Sequence, residues 1–547
     1  MNEEVFAAKQ EIYSYPAQFD FFKNNSLQSA CYQLTCCIEE FLIESLSPQN
    51  MLQFRQTAIM QDRLRGGYRN AIKWAFQYCR LSEKRFVPSS CPYDFKGSFF
   101  VIEQGMGFSN IRNAFDQVEL GRRLVSVQGR HVRFSLAPAT RDANAELYAR
   151  FVDHEKPDRT ENRTMMAYEK AAFAHMVEPR KSGRWNDFSK CPSDKKAFAE
   201  VYRDCLGKVK GDAEEYSNLD FGDFTLEEFE KVYAVLMALG VMNFNYQYQA
   251  AFIKRTVKEH IQRPIVFGEI TSLVQFVVEY TGVKRKAIKS IIQLLTYDYE
   301  FQKNKVTLLQ PLFLFGDFLF YSPALLYFSD AVDKLLYVVK AKKSALAVIS
   351  RIAKEREVLM TERLISFITE HSDLRCFPNY KLIIDGRILA EFDIVVYDSN
   401  SNRLLLTELK YFFKADGEKD HESADHKIGN SIKSRAEKQK LAQKYINKLL
   451  KDILGEDTPA DIPEVTSCVV SQNYSGSSFL EDLIAVFDEF LFKHVLEQCG
   501  FNLNIFVSVI EDGSYIPDMR NYLEYQDCTE EYAGYKITYP GMAIRIY

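Results

Sequence analysis

Apolar side chains recur at helical spacing through residues 1 to about 90, most clearly in SACYQLTCCIEEFLIESL (29–46), and predict helices there. SFFVIEQG (98–105) and LVSVQGRHVRFSLAP (124–138) read as short strands with glycine-containing turns. Residues 140–220 are strongly charged and read as mostly helical, interrupted by EKPDR and EPRKSGR as exposed loops. Helical periodicity resumes in TLEEFEKVYAVLMALGVMNFNYQY (225–248). The segment ITSLVQFVVEYTGVKRKAIKSIIQLLTYD (270–298) reads as two helices joined at Thr281 and Gly282. With Lys284, Arg285, Lys286 and Lys289 on or near the second helix, it has the outline of a helix-turn-helix, although such pairs more often simply pack. The most apolar window (307–328) is broken by Gln310, Pro311, Asp317 and Pro323, which predicts a buried segment and not a membrane span.

The pattern changes near residue 351. EREVLMTERLISFITEH (355–371) is an amphipathic helix, and NYKLIIDGRILAEFDIVVYD (379–398) reads as two strands around a turn at Asp385 and Gly386. SNSN (399–402) makes a second turn and RLLLTELKYFF a third strand. A polar loop (414–430) precedes a helix over 435–450, whose buried stripe is Leu441, Ala442, Tyr445, Ile446, Leu449 and Leu450. VTSCVVS (465–471) is a final strand. The order is αβββαβ. The predicted organisation is a mainly helical N-terminal region (1–220), a helical region (221–350), an α/β domain (351–475) and a C-terminal α+β appendage (476–547).

Three charges interrupt the apolar strands: Asp393, Glu408 and Lys410. Charges in a sheet interior are costly unless paired or bound to an ion. If SNSN is a four-residue loop, Asp398 pairs with Arg403. Counting back sets Asp393 opposite Glu408 and Glu391 opposite Lys410. Two facing carboxylates repel unless a cation lies between them. Oxygen-only ligation of that kind suits Mg²⁺. The alternative is an ion-pair network at the strand ends.

The run from Asp393 through the hairpin to Glu408-Leu409-Lys410, in its αβββαβ context, resembles the PD-(D/E)xK nuclease superfamily with its restriction-endonuclease-like fold. The resemblance covers about residues 351–475. It departs from the family pattern at Phe392, where the name implies proline. It implies an α/β C-terminal nuclease domain, a mixed sheet flanked by helices, beside a large, mainly helical α+β N-terminal region. It also implies that Asp393 and Glu408 ligate Mg²⁺ or Mn²⁺, with the Leu409 backbone carbonyl as a third ligand. Lys410 would orient or help deprotonate the attacking water. A glutamate on the first helix would complete the site, Glu362 fitting best and Glu357 second. Gln439 on the following helix would contact phosphate or water, and Glu391 would support Lys410. Residues 431–451 hold seven Lys/Arg against one acid, Glu437. Arg435, Lys438, Lys440, Gln443 and Lys444 on that helix are the expected nucleic-acid contacts.

Composition adjusts this picture only slightly. The chain is 47% hydrophobic and 26% charged, an ordinary globular balance for 547 residues and two to four domains. A net charge of −5 gives no global nucleic-acid footprint, so binding must be local. Eleven cysteines without a CxxC pair indicate reduced thiols, and no secretory signal is recognisable in MNEEVFAAKQEIY, so a cytoplasmic protein is expected. There is no GxxxxGK[ST], GxSxG or HExxH. QGMGFSN (104–110) lacks the third glycine of a dinucleotide loop, and His421 and His426 read as solvated loop residues. The expectation is a Mg²⁺-dependent phosphodiester hydrolase, a DNA endonuclease before an RNase, reminiscent of restriction-like and anti-phage proteins. The N-terminal region would bind a substrate, a regulatory partner or a second copy. The competing expectation is a nucleic-acid-binding or scaffold protein that keeps the fold without turnover.

Overall fold

Buried apolar residues gather into one large cluster drawn from residues 5–352 and 532–539, and into three smaller ones within residues 360–515. The computed structural model describes residues 3–44, 54–87, 91, 93–137, 195–212, 219–252, 265–305, 308–327, 329, 331–340, 346–413, 418–472, 484–516 and 523–544. Most of the charged stretch expected to be helical (140–220) lies outside these; within it, Lys195–Asp212 is a helix.

The large cluster is built mainly from helices, including Leu27–Glu44, Phe54–Tyr78, Phe95–Glu119 and Leu226–Phe252. The segment expected as a strand at 98–105 belongs to Phe95–Glu119. Asp94 caps that helix by accepting from the Gly97 N–H at 3.0 Å, and its apolar residues bury at helical spacing (Val101, Ile102, Phe108, Ile111, Phe115). Gly105, from the dismissed glycine pair, lets this helix cross Phe54–Tyr78 at close range. A Cβ on Gly105 would stand 2.3 Å from the Gly67 carbonyl oxygen. The helix pair at 270–298 forms as expected, with Gly282 in the left-handed region (φ 68°) at the end of the first helix. Its second helix buries Ala287, Ile288, Ile291 and Ile292, leaving the basic residues outside. The apolar window folds into the hairpin Leu312–Phe315 and Phe318–Tyr321, and no helix among the described residues is long and apolar enough to cross a membrane.

The C-terminal unit is a mixed α/β layer structure. Helix α1 (Leu346–His371) precedes strands β1 (Arg375–Ile384), β2 (Arg387–Asp398) and β3 (Arg403–Tyr411). Then come α2 (Glu418–Lys444), α3 (Ile446–Leu454) and β4 (Glu464–Gln472). The β1–β2 turn has Asp385 and Gly386 at φ 50° and 75°, the geometry that Asp-Gly favours. Residues 418–430, expected as loop, are the first turns of α2, which buries Ala424, Ile428 and Ile432. The helix expected over 435–450 breaks at Tyr445 (φ −114°, ψ 31°).

The segment expected as a C-terminal appendage divides. Strand β5 (Ala485–Asp488) extends the sheet to the order β5-β4-β3-β2-β1, parallel from β3 to β5 and antiparallel from β1 to β3. Helices α4 (Glu489–Gln498) and α5 (Leu503–Glu511) pack with α1 against one face, while α2 and α3 cover the other. The final hairpin, Leu523–Tyr532 and Tyr535–Ile544, instead returns to the N-terminal region and pairs with His131–Leu136. Arg122 reaches Asp425 of α2 at 2.5 Å, so the N-terminal region also grips the helix that covers the sheet.

Replacing Gly105 with Ala forces the two crossing helices apart and is expected to cost about 1–3 kcal/mol. Gly207→Ala, on a helix where an added Cβ meets nothing within 4 Å, is expected to stabilise by up to about 1 kcal/mol. Thermal melts of the two variants should shift in opposite directions.

Candidate active site at the diverging strands

β2 and β3 pair from Asp398 opposite Arg403, as counted across the turn, only as far as Ile394 opposite Thr407. There β2 twists. Val395 and Tyr397 share a core cluster with Phe392, so two residues intervene where strict alternation allows one. The β1–β2 ladder omits the pair Asn379/Asp393 at this point, and Asn379 sits at φ 51°. With the ladder to β3 ended, the Leu409 N–H donates to Asp393 Oδ2 at 2.7 Å. The Asp393 side chain thus stands in for a backbone acceptor, which fixes its place between the two strands.

Glu408 lies beside it on β3 with both carboxylate oxygens engaged. Lys410 Nζ reaches Oε1 at 2.7 Å; Lys438 Nζ reaches Oε2 at 3.1 Å, and the Arg435 guanidinium also bonds Oε2. Arg435 is fully buried, over the Phe392 ring at 5.2 Å, with Nε and Nη1 lacking hydrogen-bond partners among the described residues. Burial alone would raise the Glu408 pKa; Arg435, Lys410 and Lys438 outweigh it and hold the carboxyl at about 2. Asp393 goes the other way: burial, then the Glu408 charge, push it above its ordinary value against the Leu409 N–H. Burial works against the Lys410 ammonium, but Glu408, Asp393 and Glu357 raise its pKa overall.

The first helix contributes Glu357. Its carboxyl, raised by burial, accepts from the Tyr411 backbone N–H and feels Lys410, Asp393 and Glu408. Glu362, the preferred candidate, is exposed. Glu357 precedes the buried Met360 and Leu364 by three and seven residues and so shares their face, whereas Glu362 falls between.

Two other expectations are corrected. Gln439 does not reach the carboxylates. Its Nε2 donates to the Val465 carbonyl at 2.9 Å, and Val465 lies beside Leu404, four residues along β3 from Glu408. Gln439 and Gln443 line a separate cavity with Arg403, Val465 and Ile510. Glu391 does not support Lys410, because β2 stays paired with β1 after leaving β3. Glu391 faces Lys381 and bonds it at 3.1 Å on the surface. Of the expected nucleic-acid contacts, Lys440, Gln443 and Lys444 are exposed, Lys438 is half-buried, and Arg435 is an interior counter-ion. His426 is exposed on α2, and the His421 side chain lies outside the described residues.

Comparison with protein-family models, curated proteins and solved structures gives no match. The chemistry is therefore read from the cluster itself: three carboxylates (Glu357, Asp393, Glu408) facing three cations (Lys410, Arg435, Lys438). Among the described residues no three His, Cys, Asp or Glu side chains are grouped closely enough to hold a metal ion. The donor chemistry nevertheless suits a hard divalent cation, since the carboxylates and the Leu409 carbonyl offer only oxygen.

Glu408→Gln leaves Arg435 buried without a counter-charge and is expected to destabilise by about 3–5 kcal/mol. Asp393→Asn keeps an acceptor for the Leu409 N–H while removing repulsion from Glu408, so it is expected to raise the melting temperature. Because the Glu408 pKa is depressed from 4.5 to about 2, its contribution is present above 4.5 and is lost as pH falls through that window. Urea unfolding as a function of pH should show the Gln variant lacking this acid-dependent loss.

Proposed function

We propose that this protein is a metal-dependent phosphodiester hydrolase acting on nucleic acid, with DNA the favoured substrate. The observation that carries the reading is the convergence of Asp393, Glu408, Glu357 and Lys410 where β2 leaves β3. Buried charged groups of both signs in one place are costly to keep for stability alone. Mg²⁺ or Mn²⁺ would be held by Asp393, Glu408 and the Leu409 carbonyl, with Glu357 behind them. When bound, such a cation supplies charge neutralisation at the phosphate under attack.

The chain's own residues divide the remaining work. Arg435 keeps Glu408 ionised from inside the protein. Lys410, beside Glu408 and Asp393, would orient the attacking water and stabilise negative charge that develops on phosphate. The exposed Lys440 and Lys444 lie farther along α2, where they can follow a phosphate backbone. The N-terminal region grips α2 through Arg122 and Asp425, which offers a route for a partner or a second copy to control the site. A restriction-like or anti-phage role would need such control.

A second reading, a nucleic-acid-binding protein without turnover, is favoured by the saturation of Glu408 with three cations. Plasmid, linear single-stranded DNA and RNA incubated with wild type, Asp393→Ala and Lys410→Ala, with and without Mg²⁺, separate the two. The hydrolase reading predicts Mg²⁺-dependent cutting that falls about 10²-fold or more in either variant while nucleic-acid binding persists. Binding without cutting in every arm would favour the second reading.

A further inference from the structure

Glu408 is held by two kinds of cation. Arg435 is fully buried and stacked over Phe392, so it has no path to solvent without unpacking α2 from the sheet. Lys438 is different. Its side chain is 23% exposed, and its ammonium lies 3.1 Å from Glu408 Oε2. A four-carbon stem lets that ammonium swing into water without moving the helix. Ile428 and Ile432 pack α2 against Val469 on one side of the contact and Ala442 packs it on the other, so the helix itself stays fixed.

The lone pairs of Glu408 decide what must move. A carboxylate oxygen accepts about two bonds in its plane. Oε2 spends both on Arg435 and Lys438, and Oε1 spends one on Lys410. A dication arriving at Glu408 therefore meets three positive charges within contact distance of its ligand, and Coulomb repulsion at such range in a partly buried site is strong. One charge has to go, and Arg435 cannot. Lys410 belongs to the reacting cluster beside Asp393, whereas Lys438 comes from a separate element and contacts no carboxylate in the cluster but Glu408.

We infer that Lys438 is a placeholder cation: it neutralises Glu408 in the metal-free protein and gives way when a divalent cation binds, so that its removal strengthens metal binding. The inference rests on the metal-site reading of Asp393 and Glu408.

The test is calorimetric titration of Mn²⁺ into full-length wild type, Lys438→Met, Lys438→Arg and, as a control for net charge, Lys433→Met, an exposed cation on the same helix. Melting curves without metal establish that each variant is folded, which Arg435 and Lys410 at Glu408 favour. The expected result is Mn²⁺ binding tightened about tenfold or more in Lys438→Met, with Lys438→Arg and Lys433→Met close to wild type. Equal affinity in wild type and Lys438→Met, or weaker affinity in the variant, overturns the placeholder role while leaving the metal site standing. No Mn²⁺ binding to any of the proteins overturns both the placeholder role and the metal-site reading beneath it.

Discussion

The buried ion pair between Glu408 and Arg435 is the constraint from which the C-terminal unit takes its form. A guanidinium with no solvent exposure would be prohibitive in an apolar stripe without an anion within reach. Glu408 is that anion, and it lies where β3 has lost its antiparallel partner. The pair fixes the rotation of α2 over the sheet, because Ala424, Ile428, Ile432 and Ala442 must bury on the same side that delivers Arg435. It also keeps a carboxylate ionised in a setting that would otherwise protonate it.

The parting of β2 from β3 accounts for the rest of the cluster. Once the ladder stops, the Leu409 N–H needs an acceptor and takes Asp393, which places a second carboxylate beside the first. Their mutual repulsion is partly offset by Lys410, and Glu357 enters from α1 on the edge where the Tyr411 N–H is available. Asp393 is thus placed by the end of the ladder, Glu357 by α1 and Arg435 and Lys438 by α2, and the charges balance as three against three. The N-terminal region reaches this arrangement through α2, with Arg122 near the start of the helix and the Glu408 contacts farther along it.

Much of this was legible in the sequence where local rules suffice. The Asp-Gly turn, the SNSN turn and the alternation of β2 and β3 carry the hairpins and the register from Asp398 opposite Arg403 to Ile394 opposite Thr407. The helix stripe at Ala442, Ile446, Leu449 and Leu450 gave one face of the packing. What local rules could not supply was where a ladder ends. Extending the count past Ile394 placed Glu391 beside Lys410, whereas the twist at Asp393 leaves Glu391 with Lys381. For a related reason Arg435 and Lys438, and not Gln439, reach Glu408, since which turn of α2 meets it depends on the docking of helix on sheet. Two features are marked in the sequence all the same. Glu357 shares the apolar face of Met360 and Leu364, and Asp94 marks a helix start before the apolar run at 98–105.

In the proposed divalent-cation site at the parting of β2 and β3, Asp393 and Glu408 are the ligating carboxylates. Anomalous diffraction from crystals of the full-length protein grown with Mn²⁺ tests this most directly. The expected result is a peak within coordination distance of both carboxylates, with Lys410 beside it. A peak ligated by other residues, or none at saturating Mn²⁺ with the Glu408 contacts to Arg435, Lys410 and Lys438 intact, would contradict it.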